Sequence, residues 1–287
     1  LNKILETDNE DYVLASDTDS LYVTMEKMVE KVGLTDTDKI IKFLDTVCDG
    51  KIQDVIDKCY GEMAEYVNAF QQKMVMKREV LADVGIWVAK KHYVLNVHNS
   101  EGVQYEEPKL KMMGIEAVRS STPAPIREYI SDALRIVMEG TENELIDFIE
   151  RTRGEWGKLR PEEAGFPRTA NNVDKFSDPT TLYKKSTPIH IRGSLLFNFH
   201  LKQKELTHKY NLINSGDKIK FIYLKTPNPI GENVVSFISD WPDELGLNNF
   251  IDYDTMYQKG FIDPLQGILD AIGWKTEHQA SLMDFFS

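Results

Sequence analysis

The sequence predicts an α+β protein: an antiparallel sheet portion with helices at the front, followed by a mostly helical domain with short strands. Three observations lead there. Short apolar runs bounded by turn residues dominate the front. From about residue 120, apolar residues recur at helical spacing between capping residues. Finally, 287 residues with 41% hydrophobic content can bury a core and by length amount to about two domains. The expected division is 1–119, 120–278 and a tail of 279–287.

Each element has its local reason. Leu1 to Ile4 reads as the tail of a helix that turns at Thr7-Asp8-Asn9-Glu10 into a strand. Such a start in mid-element suggests a fragment, a processed product or the downstream half of a split gene. Tyr12-Val13-Leu14-Ala15, Asp17 to Ser20, and Leu21-Tyr22-Val23-Thr24 read as strand, tight turn, strand. Between Lys39 and Phe70 the helical spacing predicts two helices broken near Asp49-Gly50. Met74 to Val80 reads as a strand open on one face, and Trp87 to Val97 as another. Asn99-Ser100-Glu101-Gly102 turns the second back into Val103-Gln104-Tyr105. Ser120-Ser121-Thr122-Pro123 predicts a hydroxyl-capped helix start with an early proline, running to Gly140. Thr141 and Glu144 form a capping box for a second helix reaching Trp156. Beyond lie a proline-rich basic stretch, short strands at Ile219 to Leu224 and Val234 to Ile238, and helical pieces near 254–271.

Composition narrows the class. The start is polar within a few residues, and no apolar run approaches the ~20 residues of a bilayer span, so no membrane association and a cytoplasmic location are expected. The two cysteines, Cys48 and Cys59, lack a metal-ligand pattern and read as reduced, buried thiols. A net charge of −12 argues on its face against a nucleic-acid partner. The distribution argues the other way. Residues 1–150 carry 17 basic against 29 acidic side chains, residues 151–225 carry 15 against 7, and residues 226–287 carry 2 against 10. Positive charge concentrated in one central stretch fits either a phosphate-tracking surface or a solvated basic face.

The residues suited to chemistry sit in the first turn. Asp17 and Asp19, two apart on an extended segment, project to one side. Magnesium takes one or two carboxylates plus substrate phosphates, and two such ions can clamp an in-line displacement. The bland reading is an Asx turn in which each Asp bonds only local backbone. Thr35-Asp36-Thr37-Asp38 repeats the string ahead of a helix pattern, where a helix cap is expected.

The hairpin built on Tyr12-Val13-Leu14, Asp17-Thr18-Asp19-Ser20 and Leu21-Tyr22-Val23 resembles motif C of family B DNA polymerases, with Ala15-Ser16 in place of the usual Tyr-Gly. The resemblance continues in order. Met76-Lys77-Arg78-Glu79 is similar to the segment carrying an acidic residue near the palm metals, which implies an outer-sphere role for Glu79; a surface ion pair is the alternative. Lys90-Lys91-His92-Tyr93 resembles the Lys-Lys-Arg-Tyr element whose Lys and Tyr contact the primer end, with His92 replacing Arg. Glu107 to Glu116 and Ser120 to Pro123 look like the palm-to-thumb passage of the T-even-type phage branch. Thr169-Ala170-Asn171-Asn172 and His190-Ile191-Arg192-Gly193 match its thumb. From the residues alone, His190 and Arg192 bracket a short extended piece where a guanidinium can approach phosphate.

The resemblance covers essentially the whole chain and implies a function. It makes 1–119 the C-terminal part of the palm and 120–278 the duplex-gripping thumb. Asp17 and Asp19 would be catalytic metal ligands for two Mg²⁺ ions shared with a motif A aspartate on another segment. Lys90, Lys91, Tyr93, Asn171, Asn172, His190 and Arg192 would contact DNA. The implied partners are primer-template DNA, dNTP and an N-terminal polymerase chain or segment carrying motif A, fingers and exonuclease. Gln279, Leu282, Phe285 and Phe286 fit the pattern of sliding-clamp-binding peptides, one helical turn placing Leu282 beside the paired rings. A competing reading is a non-catalytic DNA- and clamp-binding accessory module, which would have no use for the intact Asp17/Asp19 pair.

Overall fold

The computed structural model describes residues 11–278, which fall into two compact units, Leu1–Met113 and Gly114–Ser287. Its mixture of helices and antiparallel sheets is an α+β fold. The expected tail, with Gln279, Leu282, Phe285 and Phe286, lies outside the described residues, as does the helix expected at Leu1 to Ile4.

In the first unit, β1 (Val13–Asp17) and β2 (Ser20–Val23) form an antiparallel hairpin with Asp17 opposite Ser20, Ser16 opposite Leu21 and Ala15 opposite Tyr22. Residues paired across a ladder share a face, so Asp17, Ala15 and Tyr22 point one way and Ser16 and Leu21 the other. Helix α1 (Glu26–Val32) ends on Gly33 in the left-handed region. Helix α2 (Thr37–Val47) is capped by Asp36, whose carboxylate accepts the Lys39 N–H at 2.9 Å. The second Asp-Thr-Asp string is therefore a cap, as its position predicts. The break expected at Asp49-Gly50 is absent. A π-helical turn, Cys48–Ile52, absorbs the glycine and leads directly into α3 (Gln53–Tyr66). Cys48 is only half-buried and Cys59 is exposed, which corrects the expectation of two buried thiols.

A three-stranded antiparallel sheet completes this unit: β3 (Val80–Ala89), β4 (His92–Ser100) and β5 (Val103–Met113), in that order. Its small core is Tyr93, Leu95 and Val97, with Tyr22, Val80, Trp87 and Tyr105 packed against it. Arg78 ties α2 to this sheet, its guanidinium donating to the Asp45 carboxylate and, at 2.7 Å, to Asn99 Oδ1. Two sequence expectations need correction. The strand placed at Met74 to Val80 begins only at Val80; upstream, the Gln72 amide bonds both the N–H and the C=O of Met74 and holds a loop. The strand placed at Trp87 to Val97 is two strands joined by a tight turn at Lys90-Lys91, with Lys91 at φ 61°.

The second unit opens on α4 (Ala124–Glu139). Pro123 occupies its cap position and no side chain caps it, so the hydroxyl cap expected from Ser120 to Thr122 is not made. Instead Thr122 is buried and its N–H donates to Arg119 C=O. Helix α5 (Glu142–Trp156) carries the predicted capping box of Thr141 and Glu144. There follow α6 (Pro161–Ala164), β6 (Phe166–Thr169), α7 (Val173–Phe176), β7 (Ser177–Asp178), β8 (Leu182–Tyr183) and α8 (Ile189–Gln203). The chain closes with β9 (Lys218–Tyr223), β10 (Val234–Phe237), α9 (Tyr253–Tyr257), a π turn and α10 (Asp263–Ile272). Strands β10, β9 and β6 form one antiparallel sheet in that order. The core joins α4, α5 and the C-terminal helices through Ile130, Leu134, Leu145, Trp156, Tyr257 and Phe261, all buried. The Thr152 hydroxyl meets the Tyr257 hydroxyl at 2.7 Å inside it, so these two buried hydroxyls are satisfied.

Candidate functional site

Asp17 closes β1 and Asp19 lies in the turn after it, with Thr18 between them at φ 54°. That conformation is uncommon for a β-branched residue and is stored where the surrounding structure over-determines it. The turn is held by main chain: the Asp19 N–H donates to Asp17 C=O at 2.7 Å, and the Ser20 hydroxyl donates to the same carbonyl at 3.0 Å. The carboxylates are left out of this. Asp17 accepts from the Thr18 hydroxyl at 3.1 Å and pairs with Lys91 Nζ at 3.3 Å. No hydrogen bond or ion pair engages the Asp19 carboxylate among the described residues. The Asx-turn alternative, in which both carboxylates bond local backbone, is therefore not what is built.

The second tight turn brings the cations. Lys90 and Lys91 sit at its tip, both exposed, and the left-handed backbone of Lys91 directs its amine to Asp17. Partial desolvation pushes the Asp17 carboxyl up. The bonds from Lys91 and Thr18 and the charges of Lys91 and Lys90 outweigh it and hold the group below the usual carboxylate range. Asp17 is thus an anion at neutral pH.

Tyr93 links the two hairpins. It is buried, and its hydroxyl accepts from the Tyr22 hydroxyl at 2.8 Å while the rings meet edge to face, centroids 5.3 Å apart. Trp87 closes on Tyr22 in the same manner at 5.4 Å. Burial, the Tyr22 bond and the charges of Tyr22, Glu79 and Asp17 all push the Tyr93 phenol up, so it keeps its proton and remains a donor. Glu79 is engaged in a surface ion pair with Lys111. Asp17, Lys90, Lys91 and Tyr93 thus come together, with Glu79 near enough for its charge to act on Tyr93. Tyr22, which sequence reasoning left out of the site, is the pivot; strand alternation opposite Ala15 was the signal for it.

A hard divalent cation such as Mg²⁺ suits oxygen donors of this kind, taking one or two carboxylates and completing its shell from phosphates and water. Among the described residues no group of three or more His, Cys, Asp or Glu could hold a metal, so a cation at Asp17 and Asp19 would need further ligands from elsewhere.

The second unit holds the other candidate residues. His190 and Arg192 do not bracket an extended segment; they lie in the first turn of α8, behind Pro188. Gly193 is helical as well. A Cβ there would stand 2.5 Å from Ser236 Oγ and 2.9 Å from its backbone N, so the glycine lets α8 press on β10. The His190 ring faces Phe221, and burial followed by the charge of Arg168 pushes its pKa down. Arg192 donates to Asn233 and lies over the Tyr183 ring at 5.8 Å. Arg168 was missed by sequence reasoning. It donates to Ser121 C=O at 2.6 Å and lies 5.9 Å above the Phe221 ring, beside His190; its place next to Thr169 in the basic stretch was the available signal. Asn171 and Asn172 are exposed past β6, with Asn172 left-handed and its N–H on Ser215 Oγ at 2.7 Å. Among the described residues no hydrogen bond or ion pair joins them to His190 or Arg192.

No helix among the described residues is long and apolar enough to cross a membrane. Comparison with known proteins adds a family. Residues 5–150 match the model of the Divergent Family B DNA polymerase family. The chain is 31% identical to the DNA-directed DNA polymerase of Enterobacteria phage T4, over 98% of this chain and 32% of that protein. It is 32% identical to the DNA-directed DNA polymerase of Escherichia phage RB69, over 100% of this chain and 33% of that protein. The chain spans about a third of the length of these relatives.

Proposed function

Since this chain belongs to the divergent family B DNA polymerases, we propose that it supplies the metal-binding carboxylates and the duplex-gripping domain of a replicative DNA-directed DNA polymerase. In this reading, residues 1–119 are the C-terminal part of the palm, 120–278 the thumb, and 279–287 a tail for a sliding clamp. Motif A, fingers and exonuclease come from an N-terminal segment, and the assembled enzyme works in the cytoplasm of a phage-infected cell. The observation that carries the reading is the turn at Asp17-Thr18-Asp19: its backbone bonds are complete without the carboxylates, and a second turn delivers Lys91 and Tyr93 to the same place.

The chain's own residues then have definite tasks. Asp17 and Asp19 present anionic oxygen; bound magnesium would lower the charge on the phosphates and orient the attacking and leaving oxygens. Asp17 would hold magnesium in place of its Lys91 partner, leaving Lys91 and Lys90 to meet primer phosphates. Tyr93, fixed by Tyr22, keeps a proton to donate to the primer terminus. His190, held neutral by burial and by Arg168, and Arg192 meet duplex backbone together with Asn171 and Asn172.

Primer extension tests this. The chain is combined with the remaining part of a related phage polymerase, primer-template, dNTPs and Mg²⁺. Extension should appear only in the mixture. Asp17→Ala or Asp19→Ala should reduce it more than about 100-fold, beyond the loss typical of outer-shell partners of a metal. Equal extension after either substitution would sink the assignment. Duplex binding without any extension would favour the accessory-module reading.

A further inference from the structure

Among the described residues, twelve of the thirteen exposed large hydrophobics belong to the first unit; Phe199 is the exception. The densest run is Met63, Tyr66, Val67, Phe70, Met74 and Val75. Met63, Tyr66 and Val67 have the i, i+3, i+4 spacing of one helix face at the end of α3 and its cap. Phe70, Met74 and Val75 follow in the loop beyond the left-handed Asn68. Tyr66 is 90% exposed, Phe70 104% and Val75 73%. Scattered apolar residues on a surface need no explanation, but a contiguous aromatic and aliphatic patch marks an interaction site. The same unit has few buried hydrophobics, and its β1–β2 hairpin has no third strand among the described residues. Two-stranded hairpins are marginal alone.

We propose that the apolar face running from Met63 to Val75 is the docking surface for the rest of a family B polymerase, the two-thirds of its relatives' length that this chain does not span. This rests on the reading of the chain as part of a polymerase. The occupant follows from length and core together. The relatives carry this sequence within a chain about three times as long, and the described part of the first unit lies within the family match, yet its own interior is small. Additional polymerase sequence is therefore at hand to cover what is bare, and a second copy of this chain is not required.

The probe is the part of the phage T4 polymerase outside the region matched by this chain, made as a separate polypeptide. Sedimentation should show a one-to-one complex with the wild-type chain. Phe70→Ser with Val75→Ser, and separately Tyr66→Ser, should weaken it at least about tenfold, as loss of a central aromatic anchor does. Phe199→Ser should not. Because the substituted side chains are exposed, the variants should melt with the wild type. Absence of a complex, a complex indifferent to all three substitutions, or a wild-type dimer that the variants split would each overturn the inference. Primer extension in the same mixtures separates the two readings. Extension unaffected by the variants overturns the docking face alone, and a variant-sensitive complex without extension overturns the polymerase reading alone.

Discussion

The two units of this chain solve the problem of stability differently. Among the described residues, Ile41, Ile86, Tyr93, Val94, Leu95 and Val97 are the buried hydrophobics of the first unit, whereas the second has 42, including Trp156 and Tyr257. The second has the larger core, built from three helices of 15 or 16 residues, a three-stranded sheet and the buried hydroxyl pair of Thr152 and Tyr257. The first holds the candidate chemistry on two hairpin tips, with both Thr18 and Lys91 at positive φ, and keeps much apolar surface in solvent. Strained turns and thin cores belong to parts that act on something or wait for something.

The comparison can be broken from its strong side first. Trp156→Ala removes a buried ring and its bond to Tyr253 C=O, and should cost about 3–5 kcal/mol by chemical denaturation. Phe70→Ser should change the same midpoint by less than about 0.5 kcal/mol. Comparable losses would erase the distinction between the units. Gly193→Ala comes next. Its Cβ would meet the β10 backbone, so α8 must shift, at about 1–3 kcal/mol in the same assay.

Smaller effects sharpen the account of the first unit. Tyr22→Phe deletes the hydroxyl bond to Tyr93 and should destabilise by about 0.5–1.5 kcal/mol, read as an earlier loss of first-unit amide protection in hydrogen exchange. Lys91→Ala should let the Asp17 carboxyl titrate nearer its ordinary value, followed by carboxyl NMR. The sign is that of a depressed acid. Its contribution to stability is present above the unfolded value of about 3.9 and lost as pH falls through the folded one, so Lys91→Ala should flatten the pH dependence of stability below that point. A titration unchanged by the substitution would remove Lys91 from the site.

Local grammar explains which parts were legible in the sequence. The Asp17 hairpin, the Asn99–Gly102 turn, the Thr141–Glu144 box and the cap at Asp36 each satisfy their bonds within a few residues, and each stands where the pattern places it. The misreadings share another cause. Lys90-Lys91 carries no Gly, Asn or Pro, so nothing in the string announces a turn; strand pairing of Ala89 with His92 imposes it. Gly50 and Gly193 look like breakers, but one is absorbed by a π turn and the other is a packing contact against Ser236. Arg168 and Tyr22 enter through contacts distant in sequence, with Ser121 and Tyr93, which no local pattern encodes.

The claim that the first unit is completed from outside while the second stands alone is tested most directly by hydrogen exchange on the full chain, free and in complex with the remaining part of the T4 polymerase. The account predicts new protection over residues 13–23 and 63–75 on complex formation, with α4 and α5 protected to the same degree in both states. Full protection of the first unit in the free chain, or no gain over residues 63–75 in the complex, would contradict it.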